Sequence, residues 1–156
     1  MNIKYYLKDI QVNEYTDKIK STIATIRYKG TIFEGISQIA PEDKENYSYF
    51  FGCNLAEMKA VLSAVKWERR KLKSQIKVKE NFLKAAMNCK NFDKNSDTAK
   101  TLFHLLNIDK KNLRLLTITR EQIKEDIKNL IDMQEEKNKR VDNLLKKRAA
   151  AAENNQ

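Results

Sequence analysis

The sequence has very few residues that interrupt regular backbone structure. Only three glycines and one proline occur among 156 residues, and all four lie at or before Gly52. Glycine frees the backbone dihedral φ, whereas proline fixes φ and removes a hydrogen-bond donor, so both residues favour turns and helix ends. We therefore expect a β-rich head over residues 1–52 and a helical body over residues 53–148. Together they are expected to form one structural domain.

Long apolar runs, cysteine and histidine are also scarce. No apolar stretch approaches the roughly 20 residues that span a bilayer, and the first residues lack the apolar core of a secretory signal. These absences predict a cytoplasmic protein that does not bind membranes. With two cysteines and one histidine, His104, the sequence predicts reduced thiols, no metal site and no cofactor.

The net charge of +10 is concentrated in one segment. Residues 1–52 are neutral, whereas residues 53–91 hold ten basic and three acidic residues. Within that segment the run RRKLKSQIKVK, residues 69–79, has six positive charges and no acid. Such a run raises the local concentration of anions, including nucleic acid, nucleotides and membrane phosphates. A solvated helix face that only aids solubility is an equally good interpretation at this stage.

The head has the composition of β-structure. Residues 3–10 and 19–28 are rich in β-branched and aromatic side chains. Lys29-Gly30 has turn chemistry, and residues 31–39 return as the partner strand, which predicts a hairpin. Pro41 begins a polar loop. An aromatic cluster just before Gly52 is expected in the core or at an interface; its members are Tyr47, Tyr49, Phe50 and Phe51.

The body has the apolar spacing of long helices. A first helix is expected over 54–90, with Asn54 as its N-cap and two charged interruptions, Arg69 and Lys79, in its heptad-spaced stripe. Ser96 or Asp97 would cap a short helix over 96–107. The capping-box pattern of residues 119–122 predicts a second long helix over 119–149, and residues 149–156 are expected to fray.

These elements predict an α+β fold: a small antiparallel β-sheet head followed by long antiparallel helices. The coiled-coil stripes are longer than one chain of this size can cover, which predicts a homo-oligomer of at least two subunits.

The candidate functional residues indicate binding and not catalysis. The sequence has no glycine-rich phosphate loop, and His104 has no nucleophile at a recognisable spacing, so we expect a protein that is not an enzyme. Guanidinium and ammonium groups suit phosphate oxygens, aromatic faces stack on bases, and an amide can contact a base or ribose. The candidate ligand-binding residues are Arg69, Arg70, Phe103, Asn112, Arg114, Arg120, Lys59 and Arg27.

One part of the chain resembles a known family. The residues concerned are IATIRYKGTIFEGI at 23–36, Pro41-Glu42-Asp43, and GCNLAEMKA at 52–60. They resemble the phage Thoeris anti-defence sponge proteins of the first type, which have a β-hairpin, a Pro-Glu-Asp turn and a Gly-x-x-Ile-Ala-x-x-Arg-Ala helix start. This chain departs from that pattern at Ile39-Ala40, where members often have Cys-His, and at Lys59, where they have arginine.

The resemblance implies a phage-encoded sponge that sequesters cyclic ADP-ribose signals of bacterial Thoeris immunity in the host cytoplasm without degrading them. Members of the family assemble as dimers or larger rings, and some hold cyclic oligonucleotides at a separate site. Polynucleotide binding is not expected. Two alternatives stay open: a nucleic-acid-binding or nuclease-inhibiting accessory protein that uses the basic helix, and a coiled-coil interaction module without a small ligand.

Overall fold

The fold is a three-stranded antiparallel sheet followed by two long helices. A computed structural model describes residues 11–18, 21–38, 49–89 and 92–153. The strands are β1 (Gln11–Lys18), β2 (Ser21–Tyr28) and β3 (Thr31–Gln38), in the spatial order β1-β2-β3. The helices are α1 (Tyr49–Met87) and α2 (Asp97–Glu153). The α+β prediction is confirmed, whereas oligomerisation stays a prediction.

The predicted hairpin is present, and its turn has the expected geometry. Tyr28 pairs with Thr31, which leaves a two-residue loop of Lys29 and Gly30. Both loop residues have positive φ, 48° and 77°, as the favoured two-residue hairpin turns require. Alternate residues of β2 are buried, among them Ala24, Ile26 and Tyr28. Ile23 therefore lies on the opposite face of β2 from the buried Ile26.

Strand β1 was not predicted from the sequence. Its residues, QVNEYTDK, are mostly polar, and Asn, Asp and Glu are poor strand formers. The strand nevertheless pairs with β2 along its length, with an irregularity between Val12 and Glu14. Pairing with a neighbouring strand therefore overrides the weak local preference. The strand predicted over 3–10 and the Pro41-Glu42-Asp43 turn lie outside the described residues.

The helix boundaries differ from the predicted ones. Helix α1 begins at Tyr49, so Phe50, Phe51 and Gly52 are helical, and Phe50 is largely exposed and not part of a core. Helix α2 runs without interruption to Glu153, so the separate helices over 96–107 and 119–149 were wrong. The fraying expected over 149–156 stays a prediction, and residues 154–156 lie outside the described residues. Thr119 does not act as an N-cap, because its Oγ1 donates to the Leu115 carbonyl within the helix, at 3.0 Å.

Ser96, one of the two cap residues that the sequence left open, caps helix α2. Its Oγ accepts a hydrogen bond from the Ala99 backbone amide at 3.3 Å and donates to the Asp93 carbonyl at 2.8 Å. The Asp93 carboxylate in turn accepts from the Asn95 amide at 2.8 Å. Asp97 adds a negative charge to the first turn, where the helix dipole favours it. The start of α2 is therefore fixed by local hydrogen bonds.

The chain divides into two compact units, and each contains parts of both helices. The first unit comprises Met1–Val61 and Ile123–Gln156, and the second comprises Leu62–Gln122. In the first unit the sheet packs on the start of α1, where Ala56, Ala60 and Val61 are fully buried. Close approach is possible because β3 has a glycine there. A Cβ on Gly35 would lie 1.9 Å from the Ala56 carbonyl oxygen and 2.4 Å from the Ala60 nitrogen.

In the second unit α1 and α2 pack against each other in antiparallel fashion. The buried centre consists of Leu72, Ile76, Leu83 and Leu106, surrounded by the half-buried Leu102, Phe103, Leu113 and Leu116. The two charged interruptions of the α1 stripe have polar partners on α2. Arg69 donates to Thr117 at 3.2 Å, and Lys79 forms an ion pair with Asp109 at 2.5 Å. These two contacts fix the register of the helices.

A first prediction compares two inward-facing positions of β3. Gly35→Ala should destabilise the protein by about 3 kcal/mol, because its methyl group would overlap backbone atoms that cannot move aside. Ser37→Ala is the matched control. Ser37 is fully buried, and its Oγ has no hydrogen-bond partner within the described residues, so its removal should be neutral or stabilising. Urea unfolding measures both variants, and equal stability of the two would contradict the proposed close approach.

A second prediction concerns the Lys79–Asp109 ion pair, whose side chains are only 29% and 16% exposed. Asp109→Ala should cost about 1–2 kcal/mol, because it leaves a half-buried ammonium without its partner. Replacing both residues by leucine should restore most of that loss. Lys110→Ala is the control, because its pair with Glu80 is more exposed and should matter much less. A double variant no more stable than Asp109→Ala would argue against this account.

Candidate anion-binding site

A cleft in the second unit is lined by basic side chains. Its volume is about 420 Å³, and its lining residues are Lys66, Arg69, Arg70, Lys73 and Arg120. Four come from α1 and one from α2, and all five carry positive charge. Clustered charges of one sign beside low-dielectric walls attract anions strongly. We call this feature the cationic cleft.

Helix geometry explains why these residues converge. Positions 66, 69, 70 and 73 have the i, i+3, i+4, i+7 spacing that places side chains on one face of a helix. Arg120 follows Thr117 by three residues on α2, so it lies about one turn beyond the contact with Arg69. The antiparallel register of the helices thus brings Arg120 to the basic face of α1.

Arg69 has a fixed orientation in the cationic cleft. Its Nε donates to Thr117 Oγ1 at 3.2 Å, and the same hydroxyl donates to the Leu113 carbonyl at 2.8 Å. Among the described residues the terminal nitrogens of Arg69 have no hydrogen-bond acceptor. These nitrogens form the planar fork with which arginine binds two oxygens of a phosphate or carboxylate.

Two nitrogens of Arg120 differ in their hydrogen bonding. A terminal nitrogen forms an ion pair with Glu121 at 2.8 Å. Its Nε is buried and has no hydrogen-bond partner in the part of the chain that the structure describes. A buried donor without an acceptor is costly, so such a group is expected to find a water or a ligand. An anionic ligand oxygen would accept this bond if the Arg120 side chain turned its Nε–H toward the cationic cleft.

The structure brings three of the eight sequence-predicted site residues together. These are Arg69, Arg70 and Arg120. Lys66 and Lys73 were not among the predicted site residues. Lys73 lies within the basic run 69–79, and both lysines share a helix face with Arg69 and Arg70, so the helical spacing of basic residues could have identified them.

The other five predicted residues lie outside the cationic cleft. Phe103 packs on the apolar cluster of the second unit, and its separation from Arg120 along α2 is about 25 Å. The stacking role proposed for Phe103 therefore does not fit this cleft. Asn112 and Arg114 are exposed on α2 and do not line it. Arg27 and Lys59 belong to the first unit.

Lys59 stabilises the sheet of the first unit. Its ammonium nitrogen donates to the Ile36 carbonyl of β3 at 2.8 Å. Burial removes water from the ammonium group and lowers the pKa of Lys59 below its ordinary value of 10.5. Lys59 thus binds backbone where the sequence analysis expected a ligand phosphate.

No protein-family model matches the chain, and neither curated proteins nor solved structures match it significantly. The described helices include none that is long and apolar enough to cross a membrane. Among the described residues there is also no group of three or more potential metal ligands. The resemblance to the sponge family therefore stays a prediction, and the geometry of the cationic cleft is the main guide to function.

A third prediction follows from the lowered pKa of Lys59. The unfolded chain holds this proton up to a higher pH than the folded protein, so folding gains stability as pH rises through the folded pKa toward 10.5. Wild type should therefore become more stable relative to Lys59→Met as the pH is raised from 8 toward 10.5. Thermal unfolding of both proteins across this range measures their difference in stability, from which the titration of groups common to both proteins cancels. A stability difference that does not change with pH would rule out a lowered pKa of Lys59.

Proposed function

We propose that this protein binds and sequesters a phosphate-bearing nucleotide of the cyclic ADP-ribose type without converting it. The observation that carries the proposal is the cationic cleft, where five basic side chains surround about 420 Å³. That volume falls within the range of small-molecule sites. Arg120 also has a buried Nε without a hydrogen-bond partner among the described residues, so turning that group toward a ligand oxygen would satisfy an unused donor.

The number of basic side chains in the cationic cleft favours a ligand with more than one phosphate. A pyrophosphate group carries two negative charges at neutral pH and offers several acceptor oxygens. Arg69, Arg70 and Arg120 can each bind oxygens through a planar fork, whereas Lys66 and Lys73 act as point charges. A phosphate monoester carries nearly the same charge, but a pyrophosphate spreads it over two phosphates with more acceptor oxygens, so it can contact more of the five basic side chains.

Sequestration requires affinity and slow release, and no chemical step. The resemblance of residues 22–60 to the anti-defence sponges supports this kind of function and, with it, action in the host cytoplasm. Assembly into a homo-oligomer and a separate site for cyclic oligonucleotides belong to the same proposal. Light scattering measures the oligomeric state independently of ligand binding.

A second candidate function is binding to a polynucleotide. It is favoured by a line of basic residues on one face of α1, formed by Lys66, Arg70, Lys73 and the exposed Lys77. These positions follow a helical i, i+4, i+7, i+11 spacing and extend over about 16 Å. A continuous line of this kind can follow a phosphate backbone, whereas a small ligand would occupy only the cationic cleft.

A fourth prediction tests the cationic cleft with matched arginines. Arg120→Ala should weaken binding of a cyclic ADP-ribose isomer by about tenfold or more, because it removes a charge-assisted contact. Arg114→Ala should leave the affinity nearly unchanged, since Arg114 is exposed on the same helix and does not line the cleft. Isothermal titration calorimetry measures both. Equal losses for the two variants would show that general charge, and not this cleft, governs binding.

Experiments on the same purified protein distinguish a sponge from an enzyme and from a polynucleotide-binding protein. After incubation with the ligand and heat denaturation, a sponge releases the intact compound, whereas an enzyme releases a converted product. Titration with single-stranded and duplex oligonucleotides at two salt concentrations tests the second candidate. Steep loss of polynucleotide affinity with salt, together with no binding of the small ligand, would favour that function over sequestration.

A further inference from the structure

Thr117 makes two hydrogen bonds in the interior of α2. Its Oγ1 donates to the Leu113 carbonyl at 2.8 Å and accepts the Nε–H of Arg69 from α1 at 3.2 Å. The first bond uses the hydroxyl proton, so the oxygen lone pairs remain available to Arg69. Threonine is also stiff at χ1 because it is branched at Cβ. The oxygen that accepts from Arg69 is therefore held in a defined position.

We propose that Thr117 is a positioning residue that aims the guanidinium group of Arg69 into the cationic cleft. The inference rests on the proposed function, because it names how the same site binds its anion. A bond at Nε holds one edge of the planar group and leaves its terminal nitrogens in a fixed plane. A pre-oriented fork loses less conformational entropy on binding two phosphate oxygens, so the ligand is bound more tightly.

A neighbouring threonine provides a matched control. Thr119 makes the same kind of bond within α2, from Oγ1 to the Leu115 carbonyl at 3.0 Å. The described residues give Thr119 no bond to an arginine, and it does not line the cationic cleft. Valine has nearly the shape of threonine without its hydroxyl. Thr119→Val therefore removes the same kind of side-chain bond to the α2 backbone as Thr117→Val, but it leaves the contact of Arg69 intact.

A fifth prediction concerns the affinity for inorganic pyrophosphate. Thr117→Val should weaken binding about fivefold to tenfold, whereas Thr117→Ser should bind nearly as wild type because it keeps the accepting oxygen. Thr119→Val should also bind as wild type. Calorimetric titration gives the affinities, and thermal unfolding verifies that all variants are folded. Unchanged affinity in Thr117→Val, with wild type binding pyrophosphate, would overturn the inference and leave the proposed function intact.

A double-mutant cycle tests whether Thr117 acts through Arg69. In an Arg69→Ala background, Thr117→Val should cause no further loss of pyrophosphate affinity, because the side chain that it positions is gone. A merely structural role for Thr117 would weaken binding equally in both backgrounds. Equal losses would therefore overturn the positioning role even if the single variant binds weakly.

A measurement without ligand separates this inference from the proposed function. The Nε–H proton of Arg69 should exchange with water more slowly than that of the exposed Arg70, and Thr117→Val should remove the difference; nitrogen-15 NMR detects both signals. Slow exchange of Arg69 that depends on Thr117 supports the positioning role even if pyrophosphate does not bind, an outcome that would contradict only the proposed function. Fast exchange of Arg69 in wild type would overturn the inference.

Discussion

The antiparallel register of α1 and α2 in the second unit is the constraint on which the candidate site depends. Apolar contacts among Leu72, Ile76, Leu83 and Leu106 hold the helices together, but apolar stripes alone permit sliding by a heptad. The bonds Arg69–Thr117 and Lys79–Asp109 are specific to one register. Sliding one helix along the other would leave these half-buried polar groups without partners. The free-energy cost of that loss exceeds what the apolar contacts of a shifted register would return. Arg120 meets the basic face of α1 only because this register is fixed.

A different constraint operates in the first unit, where the sheet lies close to α1. Gly35 faces the backbone of Ala56 and Ala60, and Lys59 bonds to the carbonyl of the next strand residue, Ile36. These residues belong to the segments that resemble the sponge family. In this chain, small residues permit the close approach of the sheet to α1, and the long Lys59 side chain reaches the strand backbone. These contacts hold the sheet on α1, and the residues proposed to bind a ligand lie in the cationic cleft of the second unit.

Much of the fold could be predicted from local sequence. The Lys29-Gly30 turn, the Ser96 cap and the interrupted apolar stripe of α1 all depend on neighbouring residues, and the structure has all three. Strand β1 could not be predicted, because its polar residues are ordered by pairing with β2. The continuity of α2 was missed because Thr119 fits both an N-cap and a helix interior, and only the surrounding backbone decides between them.

The site was harder to predict than the fold, because the relevant property is which side chains converge. Arg69 and Arg70 were identified from charge density, and Arg120 from residue type, but nothing local distinguishes Arg120 from Arg114. Six positions separate them, which places them on different sides of α2, and only the helix register decides which one faces α1. Phe103 illustrates the opposite error. An aromatic residue beside basic segments suits base stacking, yet the apolar surface of the second unit requires it for packing.

An anion bound in the cationic cleft would also link ligand binding to stability. Two like charges about 8 Å apart repel by about 2 kcal/mol at an effective dielectric constant of about 20, and five basic side chains converge here. The apolar contacts beneath them and the register bonds on α2 must oppose that repulsion. An anion held in the cleft relieves it and binds only the folded arrangement, so it stabilises the fold by mass action. The free energy that the basic side chains cost the ligand-free protein is therefore recovered as affinity when a polyphosphate binds.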